Sequence, residues 1–240
     1  MPARSRPAAR ALRSGTGLDP RAGSARRRIG PAERRGGGAV AERPWAYYAF
    51  LTLATAIAAV AVVTDSSILV VGAMVVGPEF GLVAALAVGL TARRRGLVGG
   101  AAALLVKGFL FAIAATVLLA LVARAAGWSD LGDVTGARPL TGFIWRPDKW
   151  SAVVAVLAGC AGVLSQTAGR SNALVGVFIS VTTVPAAGDI ALSLALWAPE
   201  HPLGASSQLG INLLGMTVAG VVTLLVQRAF TGIRHRRAPV

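Results

Sequence analysis

The chain of 240 residues holds one cysteine, two histidines, two tyrosines and only ten acidic residues, set against 24 basic ones. A single cysteine, Cys160, excludes an internal disulfide. The histidines, His201 and His235, fall in what read as separate loops or tails, so no metal site can be built without several carboxylates. Serine chemistry is also poorly supplied: Ser66 and Ser67 stand beside Asp65, but no histidine lies within plausible reach to activate them. Glu79 and Asp189 could in principle form an acid pair, yet counting from their helix starts puts them at unlike depths, about 20 Å from one membrane face and about 26 Å from the other. No catalytic residue, cofactor or metal is therefore expected, and the chain does not read as an enzyme. Nor is there an apolar run followed by a small-residue cleavage site before Trp45, so no secretory signal is expected.

What the sequence has in abundance is apolar surface. Hydrophobic residues make up 55% of positions and charged ones 14%, a balance that belongs to a polytopic membrane protein whose main partner is the lipid bilayer. The net charge of +14 would otherwise suggest nucleic acid. Here most arginines sit in the tails and one short loop, where membrane orientation accounts for them, and no nucleic-acid partner is expected. Residues 1–44, with eleven arginines and no apolar run, read as a disordered basic tail, and 228–240 as a second basic tail.

Between the tails the hydropathy pattern predicts an all-α bundle of about six spans, over 45–63, 66–90, 97–123, 150–168, 172–197 and 207–227. The second span carries Pro78 and Glu79 in its interior. Proline supplies no N–H, so the ladder breaks at the carbonyl of Met74, and a carboxylate in hydrocarbon needs a partner of its own. The fifth span is interrupted in the same manner around Thr182, Thr183, Pro185 and Asp189. In the third, Lys107 lies roughly 15 Å deep, either snorkelling to the nearer face or paired with Glu79 or placed in a polar cavity. Gly77, Gly81, Ala85 and Gly89 recur every fourth residue and predict a close-packed helix face, also suited to a homo-oligomer. Counted by side, nineteen basic residues face one way and four the other, which predicts both termini in the cytoplasm of a bacterial-type inner membrane.

Three spans precede the long loop at 124–149 and three follow it, so the halves are inverted. Ser67–Gly72 and Ser171–Gly176 open the second and fifth spans at the same offset, and each is followed by a proline. Paired interrupted helices in inverted halves point to a transporter-type site. The strings TDSSILVVGAMVVGPEFG, TGFIWRP from Thr141 to Pro147 and ALVGVFISVTTVPAAG from Ala173 to Gly188 resemble the bacterial hydrophobic membrane proteins grouped as domain of unknown function 389, over roughly residues 45 to 230. The resemblance implies an integral inner-membrane protein with several helices and no agreed activity. Where that family often has a second proline this chain has Leu82, and a neutral Asn commonly fills the place of Asp189. The expected function is a transporter or channel-like conduit for a small ion or solute, with Glu79 as its ion- or proton-binding group. The alternative is a structural or regulatory protein that oligomerises through its glycine-lined helix face.

Overall fold

The computed structural model describes residues 44–167, 183–198 and 201–236. The basic tail up to residue 43, Arg170, Thr182 and the Ser171–Gly176 half of the repeat lie outside the described residues. Those described form helices joined by turns, with no strand among them. In chain order they are α1 (Pro44–Val63), α2 (Ser67–Val76), α3 (Phe80–Thr91), α4 (Arg95–Ala125), the short α5 (Leu131–Thr135), a 3-10 turn at Gly142–Ile144, α6 (Lys149–Thr167), α7 (Thr183–Ala195) and α8 (His201–Arg236).

Helices α1, α4, α6 and the first thirty residues of α8 are each long and apolar enough to cross a membrane, and α2 with α3 makes a fifth such span bent by 54°. Their outward faces suit lipid. On α4 the stripe Leu105, Phe109, Ala112, Thr116, Ala120 is buried, while Val106, Leu110, Phe111 and Leu118 are exposed. On a 3.6-residue helix this is one inward and one outward face. Lys107 belongs to the outward one and is exposed. Of the readings open for it, pairing with Glu79 does not form, because counting residues along the helix says nothing about the direction of the side chain.

Helix α7 sits in the middle. Every residue from Thr183 to Ser193 is buried, and the helix packs against α1, α4 and α8. A helix covered on all sides needs close neighbours, and Gly188 provides one: a Cβ there would lie 2.8 Å from both the Ala58 Cβ and the Ala59 amide nitrogen of α1. On the far side of the bundle Gly159 of α6 plays the same part, where a Cβ would come within 2.5 Å of the Met216 carbonyl oxygen.

Two sequence expectations change here. The four-residue stripe is not one face of one helix, because the break separates Gly77 from Gly81, Ala85 and Gly89. Gly77 meets Val184 and Gly89 meets Val98, both in this same chain. The outer loop expected at 198–206 is shorter than that, since α8 already begins at His201. Pro202 is at home in a first helical turn, where its missing N–H would have had no intrahelical acceptor.

Candidate functional site

Helix α2 ends at Gly77, whose ψ of 124° turns the chain into an extended segment. Pro78 follows and cannot continue the ladder, and α3 restarts with the Leu82 and Val83 amides donating to the Glu79 carbonyl. The Glu79 side chain has no exposed surface. Its Oε1 accepts a 2.7 Å hydrogen bond from the Thr183 hydroxyl of α7, and its Oε2 has no partner among the described residues. Glycine at position 77 is what makes room, since a Cβ there would sit 2.5 Å from that Oε2 and 2.9 Å from Val184. The two proline-bearing segments thus meet: Pro185 is buried two residues along from Thr183, directly after the valine that touches Gly77.

Six residues further along α7, about 9 Å by helical rise, a second polar centre is built from the loop before α6. Arg138 donates through Nη1 to Asp189 Oδ1 at 2.7 Å, with side-chain exposures of 4% and 0%. Its Nη2 lies 3.0 Å from Nδ1 of His201 at the start of α8. Trp145 stacks on that imidazole with centroids 4.0 Å apart, and the Arg146 guanidinium lies 4.4 Å above the Trp145 ring. The loop comes this close because position 204 is glycine: any Cβ there would collide with the Trp145 carbonyl. Asp65, in the turn between α1 and α2, ties down the same loop by accepting from the Thr141 hydroxyl at 2.7 Å and the Leu140 amide at 3.2 Å. Desolvation opposes ionisation of Asp65, but these hydrogen bonds and the nearby Arg138 charge outweigh it and hold its carboxyl below the usual aspartate range. Residues 136–146 therefore form a strap over one end of the bundle. A cavity of about 400 Å³ opens on it, lined by Gly136, Arg138, Pro139, Trp145 and Arg146 among others.

Residues 74–218, from α2 through the break, the strap and α7 into α8, match the family described as Domain of unknown function (DUF389). The chain belongs to this family. No curated protein matches it, and no solved structure does. The DUF389 description assigns no activity, so the residues must speak for the site.

Of those singled out in the DUF389 sequence, Glu79, Pro78, Thr183 and Pro185 come together at the break. Asp189 does not join them; it is held by Arg138. Lys107 faces outward, and Thr182 lies outside the described residues. Among the described residues no group of three or more His, Cys, Asp or Glu side chains could hold a metal ion. Sequence reasoning missed Arg138 and His201, which sit 51 and 63 positions from one or other partner, and it missed Gln208 and Asn212. Those two amides of α8 are buried to 1% and 0% exposure, and neither nitrogen nor oxygen of either has a partner among the described residues. One signal was available, a pair of polar residues four apart within an otherwise apolar span.

Proposed function

We propose that this DUF389 protein is a membrane transporter or channel-like conduit for a small ion or solute, with Glu79 as the group that takes up a cation or a proton. One observation carries the reading: a fully buried carboxyl lies at a helix break in an apolar bundle, with one oxygen held by Thr183 and the other unpartnered. Such a group is expensive inside a membrane protein and marks ion and proton pathways far more often than packing. The end of α2 and the start of α3 add half-helix dipoles at the same point, the arrangement that secondary transporters use around their sites. In this reading the Pro185 segment of α7 is the inverted counterpart of the break, the protein lies in a bacterial-type inner membrane with both termini in the cytoplasm, and it performs no covalent chemistry.

Assembly through the glycine stripe has less support, because Gly77 and Gly89 are occupied by contacts within the chain. The test is flux into liposomes holding the purified full chain, across a panel of ions that includes the proton. Glu79→Gln should abolish flux of the species the parent moves. A parent that moves nothing in the panel refutes transport of these ions, and a Glu79→Gln protein that moves everything the parent does removes Glu79 from the mechanism.

A further inference from the structure

The bundle contains more buried polar groups than its own hydrogen bonds satisfy. Besides Glu79 Oε2, they include Asp189 Oδ2 and the Ser193 hydroxyl of α7, and all four amide atoms of Gln208 and Asn212. Each unsatisfied buried group costs about 1–3 kcal/mol. Seven together would consume a stability that totals only about 5–15 kcal/mol in most domains. Among the described residues nothing partners them. The chemistry of a partner follows from the amides: each offers donors and an acceptor side by side, so an anion would leave the carbonyls unmet and a metal cation the N–H groups. Water meets both.

The groups are in line. Helices α7 and α8 pack together across a connection of five residues, so they run antiparallel. Counting equally from Ala195 and His201 sets Gln208 level with Gly188, next to Asp189, and Asn212 level with Val184, between Thr183 with its Glu79 and Pro185. Core packing agrees with that register. Leu209 packs with the cluster of Leu192 and Leu196 and also with that of Val184 and Ala187, whereas Leu213 joins the latter to the cluster around Val83 and Met216. Asp189 and Ser193 are four residues apart on α7, as Gln208 and Asn212 are on α8. Four residues rise about 6 Å, a gap that one water closes with two hydrogen bonds of about 2.8 Å. At the outer end stands Arg138, bonded to Asp189 and lining the cavity on the strap.

We infer that Gln208 and Asn212 hold a file of water between α7 and α8 that joins the Glu79 carboxyl to the strap cavity, and that the species exchanged at Glu79 is the proton. The second half of this rests on the transport reading above. A file one water wide cannot pass a hydrated metal cation, and the other carboxyl along it, Asp189, already holds a guanidinium. A proton needs only a chain of donors and acceptors. Among the described residues, the other titratable groups on the elements packed around the file are His201 of α8, Arg138 of the strap and the buried Tyr47 of α1.

Met216 reports on the file directly. It is 1% exposed and one turn from Asn212 on the same helix face, so radicals formed in bulk solvent do not reach it. Brief X-ray radiolysis of the full chain in lipid nanodiscs, read by mass spectrometry, should oxidise Met216 in the parent, and Asn212→Leu should remove most of that oxidation. Gln208→Leu serves as the second variant should Asn212→Leu misfold. An unoxidised Met216 in the parent, or equal oxidation in the parent and a folded variant, overturns the file. Proton flux into pyranine-loaded liposomes tests the cargo separately. Flux that needs Glu79 but is untouched by both leucine variants overturns the route while leaving Glu79 in place. Labelled Met216 without proton flux overturns the proton and keeps the water.

Discussion

Replacing Arg138 by leucine strands Asp189 with no exposed surface, and replacing Asp189 by asparagine strands a guanidinium that is 4% exposed. Removing one member of a buried pair typically costs about 3–5 kcal/mol, whereas removing both is often neutral. The two single variants differ in how they can escape. In Arg138→Leu the acid can take up a proton, and protonating an ordinary aspartate at pH 7 costs about 4 kcal/mol. The folded variant then binds one more proton than its unfolded chain, so its stability must rise as pH falls, by about 1.4 kcal/mol per unit, until the unfolded aspartate protonates as well. Asp189→Asn has no such escape, because a guanidinium does not deprotonate in this range. Its penalty should be flat in pH. The double variant leaves neither charge buried without its partner, so its penalty should fall well short of the sum of the single ones, a coupling of about 3 kcal/mol or more. Denaturant unfolding of the full chain in micelles from pH 7 to pH 5, followed by tryptophan fluorescence, measures all four proteins. Additive single variants, or an Arg138→Leu penalty that does not shrink with falling pH, would refute the account of this pair.

Thr183→Val should destabilise by about 1–3 kcal/mol, because it takes the hydroxyl donor from Glu79. Thr116→Val on α4 should be neutral or stabilising, since that buried hydroxyl has no partner to lose; equal melting shifts for the two would count against the Glu79 bond. Gly159→Ala should cost about 1–3 kcal/mol by forcing α6 away from the Met216 backbone, while Gly99→Ala, with nothing within 4 Å, should be neutral or gain up to about 1 kcal/mol of helix propensity. The strap should loosen in acid. The Asp65 carboxyl is held below its ordinary value of 3.8, so its contribution is present above that pH and is lost as pH falls through the depressed value. Limited proteolysis within 136–147 should accelerate there, and Asp65→Ala should cleave quickly already at pH 7.

The break at Pro78–Glu79 could be read from the sequence because its cause is local: a missing N–H acts within four residues. The membrane-type helices could be read for the same reason, since run length and hydropathy are properties of one segment. Lys107 shows where that kind of reasoning stops. Its depth follows from counting, but its outward direction depends on which face of α4 packs, and that was encoded in the spacing of Leu105, Phe109 and Ala112 rather than in the lysine. The structure gives the cap of α2 to Ser66, which accepts from the Leu69 amide, and turns Asp65 to the strap; a carboxylate at a turn can serve either its own helix or a distant loop, and only packing decides. The Arg138, Asp189 and His201 cluster was out of reach as a cluster: Asp189 stood out as an acid within an apolar span, but Arg138 and His201 look like ordinary loop residues until three separate segments converge.

That convergence also dictates an order of events during synthesis. Arg138 leaves the ribosome 51 residues before Asp189 and 63 before His201, the groups that hold it. Until α7 and α8 have inserted, only the Asp65 turn can hold the strap, and its arginine must wait in water. Closure over the bundle thus cannot precede α7 and the start of α8, and a chain stopped short of α7 would carry every preceding helix with its strap unfastened.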